Sequence, residues 1–170
     1  TTNKGTYVVE FMKDVTDLFI IGSININNIS DTYEKINKLN DLFVKDELTG
    51  VYNRRFINER LEVEILNAYS NKQPLSIILS DLDGFKNIND AYGHVIGDKV
   101  LIEFTNIVNK NIRTNIDWIA RYGGDEFLIC LVNVERKRAY QIGERIRNDV
   151  ANSKIAFENK EIKFSASFGV

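Results

Sequence analysis

"RYGGDEFLICLV", residues 121–132, decides how this chain folds. Two glycines separate Arg121 and Tyr122 from six consecutive apolar residues, and Trp118, Ile119 and Ala120 on the near side are apolar as well. Glycine accepts the positive φ values that tight turns require, so Gly123-Gly124 between two β-type runs reads as a hairpin. Asp125 and Glu126 then stand at its mouth. A Gly-Gly-Asp tripeptide taken alone is an ordinary solvated turn. The rest of the chain has to say whether these carboxylates do more.

The chain has 170 residues, 44% of them hydrophobic and 27% charged, which suits one domain with an attached arm and a sizeable core. It shows no low-complexity tract or internal repeat. "LFIIGSI", residues 18–24, is too short to span a bilayer, and no basic segment precedes it as in a signal peptide. The expected location is cytoplasmic, and a chain opening at Thr1 reads as a fragment or a processed product. The single cysteine, Cys130, excludes an internal disulfide and fits a small buried apolar position. A net charge of −2 argues against a general nucleic-acid binder. An anionic ligand needs a local site, with a metal to help it.

Working outward, "KGTYVVEFMKDVTD" (4–17) alternates through Tyr7, Val9 and Phe11 and reads as a strand without visible partners, the tail of something larger. Residues 30–45 place Tyr33, Ile36, Leu39 and Phe43 at helical spacing behind Ser30 and Asp31, which can cap the start. This helix either packs on its own domain or forms a two-stranded coiled coil, and two heptads do not decide between them. A helix from about Asn53 to Tyr69 carries Ile57, Leu61 and Ile65. "LSIILSDLD" (75–83) suits a buried strand, "NINDAYGH" (87–94) a short helix closed at Gly93, and "GDKVLIEFTNIVNKNI" (97–112) a longer helix with Leu101, Phe104, Ile107 and Val108. After the hairpin, Ala139, Ile142, Ile146 and Val150 mark another helix, and "IKFSASFGV" (162–170) alternates as a closing strand. The order βααββαβ predicts an α+β fold, an antiparallel sheet with helices packed on one face in a split βαβ arrangement.

Acidic residues fall at two strand ends of this sheet: Asp81 and Asp83 on the first strand, Asp125 and Glu126 at the hairpin. If the strands are neighbours, Asp81 and Asp125 approach to about 4 Å, where like charges repel by roughly 4 kcal/mol at an effective dielectric near 20. Protonation of one group relieves this, and so does a divalent cation; hard oxygen ligands beside a groove suit Mg²⁺ with a phosphate substrate. Between the two acidic groups, "GFKNINDAYGHVIGDK" (84–99) supplies Lys86, Asn89, His94 and Asp98, with backbone amides at a helix start where a phosphate fits. Asn89 and Asp98 offer the mixed donors and acceptors that match a guanine edge. Each has a plainer reading as well: Asn89-Asp90 as a turn or cap, Lys86 as a solvated charge, His94 as a hydrogen-bonded structural residue.

Four blocks in order, "DELTGVYNRR", "DLDGFKNINDAYGHVIGDKVL", "RYGGDEF" and "FSASFGV", make the chain from about Asp46 to Val170 resemble the GGDEF family. These are diguanylate cyclases, which join two GTP molecules into cyclic di-GMP on a palm-like fold akin to adenylyl cyclase. The resemblance implies that Asp81, the Leu82 carbonyl and Asp125 hold Mg²⁺ or Mn²⁺, with Asp125 also the acid/base residue and Glu126 joining a second metal site. It implies that Asn89 and Asp98 read guanine, that His94 and Phe85 lie with the substrate, and that Lys86 stabilises phosphate charge. Gly123 and Gly124 would let the backbone approach the α-phosphate. One domain of this family holds one GTP, so two must face each other in a homodimer, with the helix of residues 30–45 as a controlling device.

"TYVVEFMKDVTD" also resembles the last strand of a PAS-type sensor, which divides the chain into a sensor tail and linker helix (1–45) and a catalytic domain (46–170). Two departures stand out. The family's inhibitory product site uses an Arg-x-x-Asp pattern before the signature; Asp117 here has Thr114 at the Arg position, with Arg113 one place off, so product inhibition is not carried over. The sequence also ends at Val170, before the last helix in which the family places a Lys and an Arg on the GTP phosphates, so this fragment is expected to be truncated and weak or inactive by itself. Two other classes compete with the enzyme: a nucleotide-binding regulatory module without turnover, and a dimerising scaffold below a sensor.

Overall fold

The structure is a computed structural model that describes residues 43–158 and 160–170. The strand expected at 4–17, the sensor resemblance and residues 30–42 of the expected linker helix lie outside the described residues. Helix α1 spans Arg54–Asn71. It starts where Asn53 caps it: the Asn53 side-chain oxygen accepts from the Phe56 amide at 3.1 Å, and its Nδ2 donates to the Phe43 carbonyl at 2.8 Å. Strand β1 (Leu75–Leu82) is followed by α2 (Phe85–Tyr92) and α3 (His94–Asn111). The hairpin comes next as β2 (Trp118–Gly123) and β3 (Glu126–Val132), then α4 (Arg136–Asn152). Short strands β4 (Ile155–Phe157), β5 (Lys160–Ile162) and β6 (Ala166–Gly169) complete the chain.

The main sheet has the order β2-β3-β1-β6, with every adjacent pair antiparallel. β1 and β2 run parallel with β3 between them, which is the split βαβ arrangement expected from the element order. The closing strand differs from expectation. Ile162 ends β5, which pairs only with β4 in a separate two-stranded sheet, and the run resumes in the main sheet at Ala166. Alternation of apolar residues continues through both pieces because Ile162, Phe164 and Ala166 are all buried, so periodicity alone does not reveal the break.

Helices cover both faces of the sheet, not one. On the first face α3 and α4 pack Val100, Phe104, Val108, Ile142 and Ile146 against Ile78, Leu82, Phe127, Ile129 and Leu131, with the Phe104 and Phe127 rings 4.8 Å apart. On the second face α1 sets Ile57 and Phe56 against Trp118, Ala120, Leu128 and Cys130. β3 is therefore buried from Phe127 to Leu131 on alternate sides, which explains its unbroken apolar run. β1 is only half-buried: Ser76, Ile78, Ser80 and Leu82 face α3 and α4, while Leu79 on the other side is 56% exposed. Among the described residues α1 covers the β2–β3 half of that face and the start of β1 at Leu75 and Ile77, while Leu79 and Asp81 further along β1 are exposed.

The apolar stripe of α1 also departs from the sequence reading. Ile65 is exposed and Glu64 is buried, its carboxylate accepting from Arg60 Nε at 2.8 Å. Glu64 lies two helical turns from Ile57 and shares its face, whereas Ile65 is rotated about 80° away. Cys130 is fully buried as expected, and burial, with Glu64 and Asp117 nearby, pushes its thiol up to about 12.

At the far end of the hairpin, Asp117 is buried and saturated. Its Oδ1 accepts from Arg113 Nη2 at 2.6 Å and from the Val132 amide at 3.1 Å; its Oδ2 accepts from Arg113 Nε at 2.8 Å and the Arg113 amide at 3.0 Å. Arg113 Nη2 also donates to the Val132 carbonyl at 2.7 Å. The pair sews the entry of β2 to the exit of β3, so Asp117 is a structural clasp. Asp117 is buried while the Arg113 side chain is half-exposed, so removing Asp117 chiefly leaves the Val132 and Arg113 amides without their partner, at a cost of about 1–3 kcal/mol. Asp117→Ala is expected to lower unfolding free energy by roughly that amount in denaturant titration; a change under about 0.5 kcal/mol, typical of an exposed surface pair, would contradict the clasp.

Candidate active site

The register of β1 against β3 places Asp81 directly opposite Glu126, so both side chains project from the same face at the strand ends. Asp125 comes one residue earlier, at the turn, and its carbonyl accepts from the Leu82 amide at 3.3 Å. Asp81 and Asp125 thus converge from positions 44 residues apart in the sequence, as the strand assignments required. Although the Asp81 carboxylate reaches solvent, partial desolvation and then the charges of Asp125, Glu126 and Asp83 push its carboxyl above the ordinary range. This is the electrostatic mark of crowded acids without a counter-charge. Asp81 and Asp125 bring hard oxygen donors, the kind Mg²⁺ takes, to one rim, while among the described residues no three His, Cys, Asp or Glu side chains are already gathered around one metal position.

Asp83, grouped with Asp81 in the sequence, is committed elsewhere. Its two oxygens accept from Ser165 Oγ at 2.6 Å and Ser167 Oγ at 2.7 Å, and its amide donates to the Ser165 carbonyl at 3.0 Å. These contacts lock the end of β1 to β6 and separate Asp83 from the other three acids in role. "FSASFGV" supplies the two serines, at spacing two, from one edge of the strand.

Gly84 follows at φ 64 and turns the chain from β1 into α2 within two residues of Leu82. The first amides of α2 therefore lie beside the acidic rim, with the positive end of the helix dipole. Lys86 sits in the first turn of α2 and is exposed. His94, exposed, opens α3 immediately after the α2–α3 corner at Gly93, and Asp98, also exposed, stands one turn further along α3. Asn89 on α2 is half-buried and faces Gly97, the residue before Asp98 on α3, so the two residues expected to read a base come from the two helices that pack at this corner. Phe85 is half-buried and packs against the main core, so its ring has a structural duty whatever else it touches.

At the hairpin turn only Gly124 has positive φ, at 55°. Gly123 has no such requirement, and an added Cβ at either glycine would meet no described protein atom within 4 Å. Gly123 stands where the β2–β3 register shifts, next to Arg121 and Tyr122.

Sequence reasoning missed what holds this turn in place. Arg121 Nε donates to the Gly124 carbonyl at 2.8 Å, while its Nη1 lies 3.2 Å from both oxygens of Asp46. Asp46 in turn accepts from the Thr49 hydroxyl at 2.6 Å and the Thr49 amide at 2.9 Å. Partial burial raises the Asp46 carboxyl, but the Thr49 bonds and Arg121 together hold it below the ordinary range. The Tyr52 main chain joins β2 on the same side, accepting from the Arg121 amide at 2.7 Å. The signal was present as Arg121 beside the signature and Asp46-x-x-Thr49 in the first block; only the fold brings them together.

The sequence profile of the family described as diguanylate cyclase, GGDEF domain, matches residues 43–170. The chain is 39% identical over 132 residues to response regulator PleD of Caulobacter vibrioides, covering 76% of this chain and 29% of that protein. It is 46% identical over 99 residues to diguanylate cyclase A of Treponema denticola, covering 58% of this chain and 26% of that protein. The chain thus spans less than a third of the length of these curated relatives. Its fold is similar to the crystal structure of the GGDEF domain of DgcB from Caulobacter crescentus in complex with c-di-GMP, with a TM-score of 0.70 at 25% identity over 74% of this chain and 75% of that one. No helix among the described residues is long and apolar enough to cross a membrane.

The raised Asp81 carboxyl has a stability consequence with a definite sign. Its folded pKa exceeds the unfolded one, so the folded state is penalised once pH climbs through that raised value, and the penalty vanishes below about 4, the unfolded range. Asp81→Asn is expected to raise the Tm of the ligand-free protein at pH 7, with the gain shrinking to nothing near pH 3.5. A gain independent of pH, or a loss at pH 7, would contradict the crowding.

Proposed function

The chain belongs to the GGDEF domain family, and from that premise we propose that its parent protein is a diguanylate cyclase condensing two GTP molecules into cyclic di-GMP with release of pyrophosphate. The observation that carries this reading is the convergence of Asp81, Asp125 and Glu126 at the ends of the two central strands, beside the amino end of α2. Crowded acids of that kind destabilise a free domain and serve a chain that binds a cation with an anionic substrate.

In this reading Asp81, the Leu82 carbonyl and Asp125 hold Mg²⁺ or Mn²⁺, and Glu126 contributes to a second ion. A divalent cation there neutralises triphosphate charge and polarises the phosphoryl group under attack. The chain's own residues do the rest. Gly123 and Gly124 admit the triphosphate to the main chain. The α2 amides and Lys86 take charge on the β- and γ-phosphates, where donors fixed in advance act most strongly on the transition state. Asn89 and Asp98 accept and donate along the guanine edge, with His94 at the adjoining corner. Asp125 receives the proton of the attacking 3′-hydroxyl. Because one domain offers one guanine site, the partner hydroxyl comes from GTP on a second copy, and the active species is a homodimer governed by the upstream sensor segment.

Incubation of the full-length protein with GTP and Mg²⁺, followed by chromatography, is expected to yield cyclic di-GMP. Tight GTP binding with no product would establish the regulatory-module reading instead. Asp125→Ala is expected to lower turnover by at least about 10²–10³-fold, the scale of losing a group that acts on the transition state, while unfolding stays cooperative with a Tm no lower than that of the wild type; near-normal activity would refute its role. Asp98→Ala is expected to erode the preference for GTP over ATP, and an equal loss for both nucleotides would count against the guanine contact.

A further inference from the structure

We propose that Gly97 is a positioning residue for base selection: its missing side chain is the seat that fixes Asn89. Gly97 is buried in the second turn of α3 with an ordinary helical backbone, where alanine is intrinsically favoured over glycine. Gly93, four residues earlier, needs glycine because its φ is 81°. Gly97 has no such need. An added Cβ would overlap Asn89 Oδ1, approach Asn89 Cγ to 3.0 Å and approach Phe85 Cζ to 3.2 Å. Two α2 side chains one turn apart therefore rest on the bare backbone of α3 at this point.

Among the described residues no hydrogen bond to a protein group fixes the Asn89 amide, although its side chain is half-buried. Packing on Gly97 is what selects its rotamer, and it does so without using the amide's donors and acceptors. Those groups stay free for a ligand, and Asp98, exposed, is the next residue along α3. A methyl group at 97 would drive Asn89 out of this rotamer and split the pair. Gly97 therefore acts through Asn89 and never touches the nucleotide. The inference rests on the proposed guanine role of Asn89, so the test separates the two.

The full-length protein is compared with Gly97→Ala, Asn89→Ala and the double variant, reading Tm and the affinity for unreactive 3′-deoxy-GTP with Mg²⁺. Gly97→Ala is expected to weaken binding about tenfold and to lower Tm; in the Asn89→Ala background the affinity effect of the same change should disappear, to within about twofold, and the Tm loss should shrink to the part set by the Phe85 contact, because the overlapping Asn89 side chain is gone. In turnover, KM for GTP should rise more than kcat falls, since a base contact is present equally in ground and transition states. Equal losses in both backgrounds would make Gly97 a general packing residue and overturn the proposal. If Asn89→Ala alone leaves GTP affinity unchanged, the guanine role fails and base selection with it, while the Tm comparison still reports whether the seat exists.

Discussion

The antiparallel pairing of β1 with β3, from Leu75 opposite Val132 to Asp81 opposite Glu126, is the constraint on which the site depends. Side chains alternate along a strand, so a slip of one residue would send Asp81 to the α3–α4 face and bury it among Phe104 and Phe127. The core fixes the register from both sides: Ile78 and Ile129 lock one face, Cys130 and Leu128 the other. Apolar packing thereby holds like charges together at a strand end, where they would otherwise move apart. The repulsion does not unfold the domain because it acts at a solvent-exposed rim, where partial desolvation first and the neighbouring charges next raise the Asp81 carboxyl.

Along the sheet, the polar groups are sorted into those with internal partners and those without. Asp83 is held by Ser165 and Ser167, Asp117 by Arg113 and Val132, and Asp46 by Thr49 and Arg121. Each of these carboxylates fastens one piece of chain to another. Asp81 and Glu126 project from the ends of β1 and β3 on the α1 side of the sheet, and Lys86 and Asp98 are exposed on α2 and α3. Arg121 connects the two classes, since one guanidinium grips the Gly124 carbonyl and the Asp46 carboxylate together. A displacement of the segment before α1 would be felt at the signature turn through that single side chain.

Much of this was legible in the sequence because the informative segments are local. The hairpin follows from Gly123-Gly124 between apolar runs, α2 closes at Gly93 as expected, and the element order alone gave the split βαβ arrangement. Segments whose state depends on remote contacts were not legible. The run from Ile162 to Val170 alternates without interruption, so nothing local marks where it leaves one sheet for another. The exposure of Ile65 and burial of Glu64 follow from how far α1 reaches across the sheet. Asp83 and Asp81 look alike in "LSDLD"; only Ser165 and Ser167, at the start of β6 and more than 80 residues away, tell them apart. The position of Asp117 is a fourth case, since its clasp to Arg113 appears once both strands of the hairpin are in place.

The central claim is that Asp81 and Asp125 form one cation site completed by nucleotide. Electron paramagnetic resonance of Mn²⁺ titrated into the full-length protein with 3′-deoxy-GTP tests it most directly. The account predicts bound Mn²⁺ in the wild type that is lost in both Asp81→Asn and Asp125→Asn, while Asp83→Asn retains it. Undiminished Mn²⁺ binding in either of the first two variants, or its loss only with Asp83→Asn, would contradict it.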